Sequence, residues 1–323
     1  MEDERIQVAI RIRPIADSSS SDKRIIEKVT PNTRIVDGCM QGYNGTLFAY
    51  GQTGSGKTHT MLGPNGGKIL ANDLFEQRGI IPRCVEYLFQ NLNDLLRCTY
   101  VQLYQETFFD LMNPKFSRLT LRTGFDAENY MLNNGWENRR VAGTSINEVS
   151  SRSHAIFTLR VKMTCAVNDI TTIKNSVLNL VDLAGSERQK YSLVRGERAK
   201  EASSINTSLL VLGRVIRALT DTEYKAGSYV PYRDSNLTFL LRNSIGGNTR
   251  TCVVVTLHPN ERFCEETISS LTFAYEMKKV KNKTRVNEDL TGENIVAWKA
   301  EILRLKSELS AMTGYSQNNA FLY

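Results

Sequence analysis

Residues Gly51, Gln52, Thr53, Gly54, Ser55, Gly56, Lys57 and Thr58 satisfy G-x-x-x-x-G-K-[ST] at every fixed position. The flanks constrain the fold as strongly as the match. The apolar run Gly45–Tyr50 precedes the loop and reads as a buried strand, and the helix-compatible run Thr58–Leu62 follows it. Strand, glycine loop and helix in this order form a phosphate cradle. The glycines let backbone N–H groups converge on phosphate oxygens without Cβ clashes. The helix then turns its positive end toward the anion. Lys57 is placed to neutralise β- and γ-phosphates, and the Thr58 hydroxyl to ligate Mg²⁺. The competing reading, an ordinary Gly/Ser loop, does not account for the flanking strand and helix.

The remaining periodicity supports such a core. Strands are expected at Ile6–Ile12, Tyr100–Tyr104, Ala155–Met163, Ser176–Val181 and Thr251–Leu257, and helices at Ile81–Leu96, Ala202–Leu219, Leu237–Ser244 and Glu266–Val280. Alternating strands and helices predict an α/β P-loop NTPase with a central, mostly parallel mixed sheet and helices on both faces. The chain changes character after residue 278. Lys279–Gly292 is polar and lacks a clear period. Ile295, Trp298, Ile302, Leu305, Leu309 and Met312 then recur at a/d heptad spacing, which reads as the start of a coiled coil over residues 293–313. A surface helix packed back on the domain is the alternative. Residues 314–323 carry no readable signal.

Composition narrows the partners only a little. A net charge of +7, from 41 basic and 34 acidic residues, suits an acidic partner without naming one. The six cysteines include no Cys-x-x-Cys pair and no zinc spacing, so reduced, mostly buried thiols are expected. No apolar run is long enough to cross a membrane, and the charged first residues do not form a signal peptide.

Two further segments read as sensors for a bound nucleotide. Val177–Val181 leads into Asp182, the pattern of a strand that ends in an acid beside the phosphate loop and holds Mg²⁺ through water. Three residues on, Gly185 allows a backbone N–H to approach a γ-phosphate. Glu187 follows. The second segment is Asn147–His154, where Ser150, Ser151 and Arg152 stand ahead of a strand. Its hydroxyls can reach Mg²⁺ and an attacking water, and Arg152 can pair with Glu187. Each segment alone is an ordinary polar loop. Together with the phosphate loop, in this chain order, they form a set.

The set resembles the kinesin superfamily. The resemblance is carried by Gly51–Thr58, Asn147–His154, Asp182–Glu187, Ile205–Leu209, Tyr232–Thr238 and Thr267–Ala274, and spans Ile6 to about Leu290. Myosins lack the Tyr-Arg-Asp-Ser-x-Leu-Thr segment, and a guanine-reading Asn-Lys-x-Asp is missing, since Asn282-Lys283-Thr284-Arg285 lacks the acid. Gly135–Asn147, Ser186–Lys190 and Val286–Asp289 look like class 12 kinesins, which act in the spindle or the plant division plane.

The resemblance implies that Arg11, Arg13 and Pro14 hold the adenine of ATP or ADP, with His59 near the nucleoside. Thr58, Ser151 and Asp182 would serve Mg²⁺, and Asn147, Ser150, Ser151, Arg152, Gly185 and Glu187 would serve hydrolysis. Glu187 would accept the proton of the attacking water, and Arg152 and Glu187 would close as a gate. Lys190, Arg195, Arg198 and Arg233 would face acidic tubulin. Residues 1–278 would be the motor domain and 279–292 a neck linker, with Val280 entering an apolar pocket and Asn287 latching the backbone. The neck coil would make a homo-oligomer. The implied activity is a microtubule-stimulated ATPase moving toward plus ends, in the cytoplasm on the microtubule cytoskeleton, with neither nucleic acid nor membrane as partner. A nucleotide-gated tether with weak motility is the alternative. Asn236, Thr207 and Phe239 stand where many kinesins have cations, which places filament affinity on Arg195, Arg198 and Arg233.

The family pattern also includes a Phe-x-Phe-Asp-x-Val-Phe strand and a helix ahead of Cys39, whereas here Asp37-Gly38 leads directly into Cys39. A second shortfall lies near Thr123–Tyr130. A true shortening would remove central strands and expose core. The expectation is instead that residues are missing from this numbering, so that Gly38 and Cys39 are not bonded neighbours.

Overall fold

The computed structural model describes residues 2–14, 31–64, 77–92, 95–112, 152–167, 170–187, 197–221, 229–291, 298 and 302–309. Its centre is a mixed sheet. β2 (Gln7–Ile12), β8 (Arg250–Leu257), β3 (Gly45–Tyr50) and β7 (Ile170–Asp182) are parallel neighbours in that order. Beyond β7 the sheet turns antiparallel through β6 (His154–Val167), β4 (Leu95–Tyr104) and β5 (Thr107–Asp110). The parallel part is therefore narrower than expected, confined to the four strands around the phosphate loop. β3 is buried along its whole length and β8 along nearly all of it, as strands covered on both faces must be.

Helices cover both faces. On one side α1 (Pro31–Met40), α2 (Lys57–Met61) and α3 (Ile80–Asn91) enclose Leu47, Met61, Leu88, Phe157, Leu180 and Val254. On the other, α4 (Glu197–Thr220), α5 (Asn236–Leu240) and α6 (Cys264–Lys279) enclose Phe48, Leu183, Leu212, Val215, Val253 and Met277. α3 ends at Asn91 rather than continuing to Leu96, because Leu95 already starts β4, whose register with β6 runs from Leu95↔Lys162 to Leu103↔His154. Tertiary pairing overrides the helical period there. Among the cysteines, Cys39, Cys84 and Cys252 are buried thiols, which burial pushes up to about 12.

Two readings around the chain's shortened region are corrected or sharpened. α1 runs unbroken through Gly38 and Cys39, and the Gln41 N–H donates to the Asp37 and Gly38 carbonyls, so the two residues are bonded neighbours in one helix. Among the described residues β2 forms an edge of the sheet, and Ile10 and Ile12 are 54% and 51% exposed. The region near Thr123–Tyr130 lies outside the described residues.

The polar stretch after α6 is more ordered than its composition implies. β9 (Lys281–Thr284) pairs antiparallel with β1 (Glu2–Arg5), and β10 (Glu288–Thr291) pairs antiparallel with β7. Residues 302–309 are helical, with Ile302, Leu305 and Leu309 exposed.

Candidate functional site

The phosphate loop crosses from β3 to α2 by backbone conformations that favour glycine: Gly51, Gly54 and Gly56 all have positive φ. A Cβ on Gly51 would stand 2.3 Å from the Thr256 carbonyl oxygen, so the loop is pressed against β8. The Ser55 hydroxyl fixes that contact, bonding the Gln52 carbonyl at 2.7 Å and the Thr256 hydroxyl at 2.6 Å. Lys57 is buried, and its ammonium donates to the Gln52 carbonyl at 2.8 Å. α2 begins on Gly56 with no side chain capping it.

Against this loop lies a cavity of about 480 Å³ lined by Arg11, Arg13, Pro14 and the run Thr53–His59, a size that suits a small-molecule ligand. β2 supplies its far wall. Arg11 donates to the Thr60 hydroxyl at 2.5 Å and lies 3.2 Å from His59 Nδ1, and Arg13 donates to the Gly54 carbonyl at 2.7 Å. Burial, then the charges of Arg11 and Arg13, hold the His59 imidazole below its ordinary pKa.

The acid-bearing segment contacts the phosphate loop through Thr58 and Thr53. The Thr58 hydroxyl donates to Asp182 Oδ2 at 2.7 Å. A hydroxyl and a carboxylate oxygen in contact form a hard oxygen pair of the kind that Mg²⁺ takes, so these residues fit the ion. The Ser186 N–H donates to the Gly51 carbonyl and brings Glu187 over the loop. Both Glu187 carboxylate oxygens then accept from Thr53, one from its N–H at 2.8 Å and one from its hydroxyl at 2.5 Å. The contact shown for Glu187 is thus with Thr53. A Cβ at Gly185 would lie 2.4 Å from Glu187 Oε2, so the missing side chain leaves room for the carboxylate on the phosphate loop.

The structure thus brings together Arg11, Arg13, Pro14, Gly51–His59, Asp182, Gly185 and Glu187. Asn147, Ser150, Ser151, Lys190 and Arg195 lie outside the described residues, as does the side chain of Arg198 in α4. Arg233 is exposed on the turn before α5, far along the chain from the cavity residues.

Three sets of contacts are not visible in the sequence, although His154 itself closes the segment Asn147–His154. His154 joins Ala184 of the acid-bearing segment to Ser208 of α4. Glu106, at a positive-φ turn, accepts from the Asn236 N–H and the Ser235 hydroxyl at the start of α5. Asn282, 1% exposed, accepts from the Gly246 N–H and donates to the Ser244 and Thr249 carbonyls. No local pattern marks such residues, because their partners are distant in sequence. Val280 is fully buried in the core beside α6, and the Asn287 side chain donates to the Gly42 carbonyl.

A phosphate loop, an Asp–Glu sensor seated on it and a mixed sheet between two helical layers define a P-loop NTPase. A family model described as the kinesin motor domain matches residues 11–131 and 125–280. The chain belongs to the kinesin motor-domain family.

Relatives include kinesin-like protein KIF15-B of Xenopus laevis, 44% identical over 92% of this chain and 23% of its own, and human kinesin-like protein KIF15, 43% identical over 95% and 24%. Kinesin-like protein KIN-12E of rice is 40% identical over 86% of the chain and 16% of its own, in line with the class 12 likeness. The chain thus spans about a quarter or less of these relatives. Among solved structures, a fast kinesin described for its ATPase mechanism and microtubule interactions superposes with a TM-score of 0.71 at 33% identity, covering 88% of this chain and 94% of that one. A KIF14 dimer bound through two heads to a microtubule with AMP-PNP gives 0.70 at 30%, covering 89% and 97%.

Proposed function

We propose that this chain is a microtubule-stimulated ATPase that moves toward plus ends on microtubules of the spindle. The observation that carries the reading is the seating of the acid-bearing segment on the phosphate loop, through Thr58–Asp182 and Thr53–Glu187, at the wall of the cavity. Arg11 and Pro14 hold the adenine of ATP. Lys57 leaves the Gln52 carbonyl for the phosphates. Thr58, Asp182 and Ser151 hold Mg²⁺, which supplies charge neutralisation on the β- and γ-phosphates when bound. Glu187, freed from Thr53, accepts a proton from the attacking water through a second water, while Asn147, Ser150 and the Gly185 N–H position the reacting groups and Arg152 closes on Glu187. Positioning and charge stabilisation carry the chemistry, with no covalent intermediate on the protein.

Lys190, Arg195, Arg198 and Arg233 face the acidic tubulin surface, where charge raises encounter rates more than affinity. Residues 279–292 act as the neck linker, and the heptads after them join two copies of the chain. The kinesins described with microtubules support this assignment.

The test is ATP turnover with and without microtubules. Stimulation by microtubules is expected. Equal rates would leave only a nucleotide-gated tether, and stimulation by duplex DNA instead would replace the filament with a nucleic acid. Lys57→Ala should abolish nucleotide binding, and retained affinity would remove the loop from the site.

A further inference from the structure

His154 is 3% exposed, at the first residue of β6, one position before Ala155 pairs with Asp182. Its two ring nitrogens reach two different elements. Nδ1 lies 3.0 Å from the backbone nitrogen of Ala184, and Nε2 lies 2.9 Å from the hydroxyl of Ser208, itself 3% exposed on α4. A backbone N–H can only donate, so Nδ1 is an acceptor. The imidazole is then neutral, its proton is on Nε2, and Nε2 donates to Ser208. The neutral ring is thereby a directional bridge: Ala184 N–H to His154, His154 N–H to Ser208. Ala184 immediately precedes Gly185, which lies close against the Glu187 carboxylate and the Thr53 hydroxyl that it holds.

We propose that His154 is a positioning residue that ties the nucleotide-sensing segment Asp182–Glu187 to helix α4, so that a change in the sensor is passed to α4 through a side-chain bridge as well as along the chain. The filament part of this inference rests on the function proposed above; the bridge itself does not. A shift of the Ala184 backbone pulls on a ring that is also held at Ser208. In a close-packed interior the ring transmits that displacement instead of absorbing it.

Conservative replacements separate the two halves. Asn at 154 places an acceptor where Nδ1 stands and reaches no farther, so His154→Asn keeps the Ala184 bond and loses Ser208. Gln places a donor near Nε2 and no acceptor near Nδ1, so His154→Gln does the reverse. Ser208→Ala cuts the same bond as His154→Asn while leaving the ring in place.

Two readouts are taken on each protein: amide hydrogen exchange with and without ADP, and ATP turnover with and without microtubules. The Ala184 amide should exchange faster in His154→Gln and at the native rate in His154→Asn and Ser208→Ala. The nucleotide-dependent change in α4 exchange should be lost in His154→Asn and Ser208→Ala. Basal turnover of Ser208→Ala should stay native while its stimulation by microtubules falls about fivefold, the weight of one buried hydrogen bond. Native α4 response and native stimulation in both Ser208→Ala and His154→Asn would overturn the proposal. If the unaltered protein shows no stimulation while its α4 response depends on Ser208, the bridge stands and the filament reading falls.

Discussion

Two glycines of the nucleotide site should respond to the same substitution in opposite ways. A Cβ on Gly51 would meet the Thr256 carbonyl oxygen at 2.3 Å, the Thr256 hydroxyl at 2.7 Å and the Ser55 hydroxyl at 2.8 Å. The nearest of these is backbone of β8, which is locked between β2 and β3 and cannot swing aside. Overpacking of this kind costs about 1–3 kcal/mol. The φ of 153° adds about 1–3 kcal/mol for a residue with a side chain. Gly51→Ala should therefore lose about 4 kcal/mol, a fall in Tm of about 6 °C at ~1.5 °C per kcal/mol for a chain of this length.

At Gly185 the new Cβ would meet Glu187 Oε2 at 2.4 Å, with Glu187 Oε1 and the Thr53 hydroxyl both at 2.5 Å. All three are ends of side chains. They can move, and the cost in stability is the loss of two exposed hydrogen bonds, under about 1 kcal/mol. The same Cβ, however, crowds the place where the proposed mechanism brings the Gly185 N–H to the γ-phosphate and where Glu187 must move on leaving Thr53, so turnover should fall about 100-fold or more. Thermal melts and steady-state ATP turnover on both variants check this. Equal Tm losses, or a Gly185→Ala enzyme with native turnover, would refute the steric argument.

Asn282→Asp replaces a donor facing the Ser244 and Thr249 carbonyls by a carboxylate oxygen, and should cost about 3 kcal/mol in denaturant unfolding, since two buried acceptors lose their partner. Glu106→Ala removes the acceptor for the Asn236 N–H and the Ser235 hydroxyl; it should cost about 1–2 kcal/mol, as for other lost helix caps, and Glu106→Gln less. His59 has a folded-state pKa below its unfolded value, so the unfolded chain binds more protons between the two. Its contribution is complete above the unfolded pKa of about 6.5 and is lost as pH falls below it. His59→Gln should flatten part of the Tm decline between about pH 6.5 and the lower folded pKa, and an unchanged pH profile would show that the ring is not held neutral.

The nucleotide half of the site was legible in the sequence because its geometry is local. Gly51–Thr58 carries loop, lysine and hydroxyl within eight residues, and β3 matched its expected bounds because a strand covered on both faces is an uninterrupted apolar run. Asp182 could be placed because it ends the run Val177–Val181, apolar except at Asn179. Contacts made between distant segments were not legible. β9 and β10 read as an aperiodic linker because their pairing with β1 and β7 is satisfied by backbone, which leaves no hydrophobic alternation to see. The sequence pairs Glu187 with Arg152, and its contact with Thr53 depends on the room left at Gly185, which no spacing specifies. The continuity of α1 across Gly38 and Cys39 was misread because a family pattern was set above the bonded chain.

The antiparallel pairing of β10 with β7 makes the end of the chain mechanically one-sided. From Glu288 opposite Lys174 to Thr291 opposite Thr171 the strand runs outward along β7, with Asn287 fastened behind it to Gly42 and Asn175. Tension applied beyond Thr291 and directed along β10 loads every bond of the ladder at once, in shear. Tension directed back toward Asn287 concentrates on the pair at Thr291 and opens the ladder one bond at a time. The same few hydrogen bonds are thus strong against a pull from one side and weak against a pull from the other.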